Sequence, residues 1–198
     1  MIEPVAAQIH SPSSVLNDIA GVNELDERIE YVWREKWVDY PVADGALKIL
    51  HHLFDQPDTH RPQGRHLAGD TNNGKTAIAI EFEDQIQQQM ISRRDRSEFP
   101  VVRVQAPPEG TLGGLYGAIL RRIHAPFRSS YSQERKRVQI LDLLSQVGTK
   151  MLIIDELQHA LFGGAENQRM LLHGIKHLSN ELRIPVVVIG TDEAWSVT

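Results

Sequence analysis

The sequence predicts an α/β protein, a parallel sheet flanked by helices with a helical N-terminal extension. Three observations carry this. From about residue 65 onward, short apolar runs alternate with longer amphipathic stretches, the pattern of strands joined by helical crossovers. The runs MLII (Met151 to Ile154) and VVVI (Val186 to Ile189) are continuously apolar, as in strands buried on both faces. A glycine-bracketed segment, GDTNNGKT, falls where a strand gives way to a helix.

Taken in order, Met1 to Ser14 read as a loose leader broken by Pro4 and Pro12. Val15 to about Trp37 carries Leu25, Ile29, Val32 and Trp33 at three- and four-residue steps, which predicts a helix. Asp39, Tyr40 and Pro41 end it, a second helix spans Val42 to about Phe54, and QPDTHRPQG reads as a loop. Residues 1–57 thus form a leader and helical lead-in, and 58–198 the α/β core. In the core, Arg65 to Gly69 is a strand, Lys75 to about Ile91 a helix, and Val101 to Gln105 a strand stopped by the prolines of APPEG. Thr111 to His124 and Ser132 to Gln146 are helices, the second opening at a Ser132 cap. Lys150 to Ile154 is a strand, Glu166 to Leu182 a helix and Pro185 to Gly190 the fourth strand.

Composition narrows the class of protein. The 198 residues are 41% hydrophobic and 24% charged, ordinary for a globular chain. No apolar run approaches the roughly 20 residues that cross a bilayer, and the first residues lack the pattern of a secretory signal. The chain has no cysteine, which excludes disulfides and thiolate metal sites. A cytoplasmic protein with no membrane association is expected. The net charge of −5 counts mildly against strong DNA binding by an isolated monomer, because phosphate contacts reward a basic excess.

Gly69, Asp70, Thr71, Asn72, Asn73, Gly74, Lys75 and Thr76 match G-x-x-x-x-G-K-[ST] in full. The glycines let the backbone turn tightly and approach phosphate oxygens. Backbone amides and the start of the next helix offer partial positive charge to an anion. Lys75 reaches the β- and γ-phosphates of ATP, and the Thr76 hydroxyl binds Mg²⁺. Met151 to Glu156, MLIIDE, supplies the partner element. Asp155, at the C-terminal edge of a parallel strand, helps hold the metal, and Glu156 acts as general base on the attacking water. Taken alone, an apolar run ending in two acids is a weak signal, since helix starts also collect acids. Thr191 follows the fourth strand, where it serves either as a polar sensor of the γ-phosphate or lytic water, or as a helix cap.

GDTNNGKT, IIDE and NELRIPVVVIGTDEA together resemble the TniB/TnsC family of AAA+ transposition regulators, and WVDYPVADGALKIL resembles the segment that precedes their core. The resemblance runs from about Leu25 to Thr191. It implies an AAA+ type P-loop NTPase, an ATPase using ATP and Mg²⁺ that assembles on target DNA in rings or filaments. It also implies a transposase and a TniQ-like target-selection protein as partners. It places Lys75 and Thr76 on nucleotide and metal, Asp155 and Glu156 at the Walker B pair, Thr191 at sensor 1, and Tyr40 and Pro41 at the adenine pocket. It further implies the sheet order fifth, first, fourth, third, second. The expected arginine finger, fifth strand and helical lid are not located before Thr198. Weak turnover by this chain alone is therefore expected, since such an arginine contributes up to about 10³–10⁵ in rate.

Two clusters are basic: Arg93, Arg94 and Arg96; and Arg121, Arg122, Arg128, Arg135, Lys136 and Arg137. The second lies on the helical insertion where relatives present DNA-contacting residues, so Arg121, Arg122 and Arg128 are the candidates for sequence-independent phosphate contact. A solvated helix face is the competing reading. His173 and His177 have metal-compatible i, i+4 spacing but no third ligand nearby in sequence. His51, His52, His60 and His66 form no pattern, and Trp33, Trp37 and Tyr116 read as packing residues. Two other functions stay open: a nucleotide-switched scaffold with little turnover, and a P-loop phosphotransferase, against which Glu156 argues.

Overall fold

Four strands form a parallel sheet, β1 (Arg65–Ala68), β2 (Val101–Gln105), β3 (Met151–Asp155) and β4 (Val186–Gly190), the last three rich in Val, Ile or Leu. The computed structural model describes residues 37–38, 40–93, 99–160 and 164–191. Two compact units divide the chain, Met1–Ala46 and Leu47–Thr198. The helix expected over Val15 to Trp37 lies, apart from Trp37, outside the described residues, as do Arg94 and Arg96. Helices are α1 (Pro41–Phe54), α2 (Lys75–Arg93), α3 (Leu112–Arg122), α4 (Gln133–Gln146), α5 (Leu157–Ala160) and α6 (Ala165–Leu182).

The sheet order is β1-β4-β3-β2, with all pairs parallel: Ala68 lies opposite Gly190, Leu152 opposite Val186, and Gln105 opposite Asp155. This is the order expected for the first four strands. β3 and β4 lie in the middle and are buried along their full length, which is why their sequences run apolar without alternation.

Side chains alternate across the sheet. Val102, Val104, Leu152, Ile154, Val186 and Val188 share one core with Leu115, Ile119 and Leu120 of α3, Ile140 and Leu144 of α4, and Leu171, Ile175 and Leu178 of α6. Ile119 and Leu120 are fully buried, and truncating either to alanine should cost about 2–5 kcal/mol. On the opposite face Arg103 of β2 donates from Nε to Glu83 Oε2 of α2 at 3.1 Å. There α2 buries Ile78, Phe82, Ile86 and Met90, and Phe82 meets Phe54 edge-on at 6.1 Å.

Local signals set the boundaries. Thr111 Oγ1 accepts from Gly114 N at 3.1 Å and caps α3. Ser132 Oγ accepts from Arg135 N at 3.2 Å and caps α4, as expected from sequence. Gly110 has φ of 60, and a Cβ there would meet the Ala160 carbonyl oxygen at 2.2 Å, so the APPEG turn packs directly on α5. The short α5 was not expected. Its four residues, LQHA, are too few to show a helical period.

Candidate functional site

β1 delivers the chain to the loop of residues 69–74, and α2 opens at Lys75. This is the strand–loop–helix setting that the motif requires. Gly74 takes φ of 75 and Asn72 φ of 61. The first is a conformation for which glycine is the default, and the second is one that asparagine tolerates. Gly69 differs: a Cβ there would sit 3.7 Å from Asn73 Nδ2 and Lys75 Cδ, an ordinary contact. Of the two glycines, Gly74 is the one whose backbone makes the tight turn. Lys75 Nζ donates to the carbonyl oxygens of Gly69 at 2.8 Å and Asp70 at 2.6 Å, which folds the lysine back over its own loop.

The last residue of β3 joins the loop from the next-but-one strand. Asp155 is 3% exposed, and each of its carboxylate oxygens is used. Oδ2 accepts from Thr76 Oγ1 at 2.8 Å, and Oδ1 accepts from the Glu156 amide at 2.8 Å. Glu156 itself takes φ of 58, a left-handed conformation that costs a non-glycine residue roughly 1–2 kcal/mol. The amide–carboxylate bond to Asp155 offsets part of this. Gln158, the second residue of α5, donates from Nε2 to Glu156 Oε2 at 2.5 Å. Residues 71–76 together with Glu156 and Gln158 line a cavity of about 310 Å³.

Thr191 follows β4 directly and is half-buried. Since β4 lies between β1 and β3, Thr191 leaves the sheet between the loop strand and the Asp155 strand. Tyr40 precedes α1, with its ring 6.4 Å from that of Trp37, and Pro41 is the first residue of that helix, where a missing N–H is harmless.

A larger open groove, about 880 Å³, borders β2 and α3 and is lined by Arg103, Arg121, Arg122 and Lys136 among others. Size does not single it out as the candidate site, because the loop residues 71–76, with Thr76 held by Asp155, line the smaller cavity. The structure sorts the basic cluster on this side. Arg122 pairs with Glu83, which Arg103 also holds. Lys136 is buried, with Nζ donating to Ser129 O at 3.3 Å and Gly113 O at 3.5 Å. Arg137 is bound to Glu134 and Glu181, and Arg135 stacks on Tyr131 at 3.9 Å. Arg121 and Arg128 are exposed, with Arg121 lying 5.9 Å from the Phe127 ring centre. His177 Nδ1 is engaged by Glu181 Oε2 at 2.9 Å. Gln158, α5 and the Glu83 pairing are the parts sequence reasoning missed; the position of Gln158, two residues beyond the acidic pair, was the available signal.

The donor set suits ATP with Mg²⁺. A hydroxyl and a carboxylate at hydrogen-bond distance are the hard oxygen donors that ion takes, alongside phosphate and water. Among the described residues no group of three His, Cys, Asp or Glu could hold a metal by itself.

Sheet order, loop and acidic pair together define a P-loop nucleotide-binding fold of the AAA+ type. A family model described as "Bacterial TniB protein" matches residues 28–198. The chain belongs to the TniB family, a family of P-loop proteins of the transposition type. The same fold occurs in the ORC2 protein of Aeropyrum pernix, solved as ADPNP–ADP complexes, with a TM-score of 0.61 at 17% identity over 84% of this chain and 46% of that one. It occurs also in CDC6P of Pyrobaculum aerophilum, with a TM-score of 0.56 at 17% identity over 83% of this chain and 43% of that one. The chain thus spans less than half the length of either. No curated protein matches it by sequence. Among the described residues, no helix is long and apolar enough to cross a membrane.

Proposed function

We propose that this chain binds ATP with Mg²⁺ at residues 69–76 and hydrolyses it as a regulator of DNA transposition. In this reading it assembles on target DNA and recruits or activates a transposase. The observation that carries the reading is the Thr76–Asp155 hydrogen bond of 2.8 Å, which closes the phosphate loop onto the strand that carries the acidic pair. Thr76 and Asp155 hold the metal, whose charge supports the developing charge on the phosphates. Lys75 swings from the Gly69 and Asp70 carbonyls to the β- and γ-phosphates. Glu156 takes a proton from the attacking water, Thr191 senses the γ-phosphate between the two strands, and Tyr40 and Pro41 line the adenine. Arg121, Arg122 and Arg128 neutralise DNA phosphates without reading bases, Arg122 sharing its charge with Glu83. Self-association into rings or filaments and a TniQ-like partner complete the proposal, supported by the family.

Steady-state ATP turnover with and without duplex DNA tests it. Turnover stimulated by DNA, abolished by Lys75→Ala and blocked by Glu156→Gln with binding retained, is the expected result. Binding without turnover would make the chain a nucleotide-switched scaffold, and turnover that needs a small-molecule acceptor would make it a phosphotransferase. Normal hydrolysis by Glu156→Gln would remove Glu156 as the base.

A further inference from the structure

Gln158 lines the loop's cavity, and the hydrolytic scheme above leaves it without a task. The chain brings it there because β3 ends at Asp155, Glu156 turns at φ of 58, and α5 starts at Leu157. Its amide is used on one side only. Nε2 donates to Glu156 Oε2 at 2.5 Å, while Oε1 is buried and accepts no hydrogen bond from any described residue. The orientation is fixed by chemistry, since the reverse would set an amide oxygen against a carboxylate oxygen. Gln158 therefore meets the cavity beside Glu156 with its donor committed to the Glu156 carboxylate.

We propose that Gln158 is a positioning residue for hydrolysis: Nε2 fixes the Glu156 carboxylate in one orientation, so that it meets the attacking water and takes its proton. The inference rests on the hydrolytic reading above. In the step, the water oxygen forms a bond to the γ-phosphorus, and the bond from that phosphorus to the β–γ bridging oxygen breaks. ADP leaves with the electron pair, and the water proton passes to Glu156. The second O–H stays intact on the phosphate product. Fixing the base aims the oxygen lone pair of the water at phosphorus, and this kind of positioning is lost with small displacements.

The test compares wild type with Gln158→Met, of similar length but without donor or acceptor. Each protein is assayed with duplex DNA for turnover and with a slowly hydrolysed ATP analogue for affinity. The expected result is a kcat lower by about 10- to 100-fold, with analogue Kd within about twofold and an unchanged melting temperature. Gln158→Glu, which loses the donor and adds a second carboxylate, should fall at least as far, and Gln158→His, which restores a donor, should recover part of the rate. Independently of activity, the Gln158 side-chain amide resonances should shift in Glu156→Ala. Wild-type turnover in Gln158→Met, or amide resonances indifferent to Glu156→Ala, would overturn the inference alone. Parallel loss of affinity and rate would also overturn it, marking Gln158 as a loop-shaping residue. A wild type that binds ATP without turnover would remove the hydrolytic reading and this inference with it.

Discussion

Thr76 and Asp155 stand 79 positions apart in the chain, yet the Thr76 hydroxyl donates to Asp155 Oδ2 at 2.8 Å. The other carboxylate oxygen holds the Glu156 amide. One buried side chain therefore links the loop of residues 69–76 to Glu156, and under the proposed function a change at Asp155 acts on metal and base together. Asp155→Asn keeps an oxygen for the Glu156 amide, and the Thr76 hydroxyl can rotate to accept from the new amide. The fold should survive with a melting temperature within a few degrees, while the gain in ATP affinity on adding Mg²⁺ disappears. Titrating a fluorescent ATP analogue with and without Mg²⁺ checks this. A full magnesium response in Asp155→Asn would count against the metal assignment.

Gly74 supplies a second prediction. Its φ of 75 is a conformation that costs an L-residue roughly 1–2 kcal/mol. Gly74→Ala should therefore reshape the loop, lowering ATP affinity about 10-fold or more, whereas Gly69→Ala, whose Cβ would make only ordinary contacts, should leave the nucleotide-free protein as stable as wild type. Thermal melts of both variants, followed by nucleotide titration, separate the two glycines that the motif treats alike.

Much of this site was legible because it is made of short, contiguous strings. GDTNNGKT and MLIIDE each carry their chemistry within a few residues, and the apolar runs show where the buried strands lie. Side-chain partners distant in sequence were not legible. Arg122 reads as part of a basic cluster until α2 is folded back against β2, when Glu83 meets it together with Arg103. Lys136 reads as surface charge, yet packing of α4 on α3 buries it against the Gly113 and Ser129 carbonyls. Gln158 falls in a helix of one turn, and its contact with Glu156 depends on a left-handed residue that no periodicity announces.

Arg137 joins α4 to α6. Its guanidinium donates to Glu134 at 2.6 and 3.0 Å and to both Glu181 oxygens at 2.5 Å. The hydrogen bonds from Arg137 hold both carboxyls below their ordinary value of 4.5. A carboxylate whose folded pKa is depressed stabilises the fold above the unfolded value and loses that contribution as pH falls through the folded one. Arg137→Met should therefore lower the melting temperature at pH 7 by about 1–3 °C, a modest effect because the groups are partly exposed. The difference should shrink on acidification below about pH 4.5 and be reduced by salt. Melts across pH 3 to 7 check the sign; a gap that widens on acidification would refute it.

The three candidate DNA contacts should not behave alike. Arg121 and Arg128 are exposed, whereas Arg122 shares Glu83 with Arg103. Reversing charge at Arg122 puts like charges side by side in a half-buried pair, so Arg122→Glu should lower the melting temperature whether or not DNA is bound. Arg121→Glu and Arg128→Glu should leave it unchanged and weaken duplex binding equally for unrelated sequences, as phosphate contacts do. Each lost phosphate contact should also reduce the slope of log affinity against log salt by about 0.9. Binding isotherms at several salt concentrations, with melting curves on the same preparations, separate a DNA contact from a structural ion pair. If Arg121→Glu and Arg128→Glu bind duplex with wild-type affinity and slope, these arginines belong to a solvated helix face and DNA must be met elsewhere on the protein.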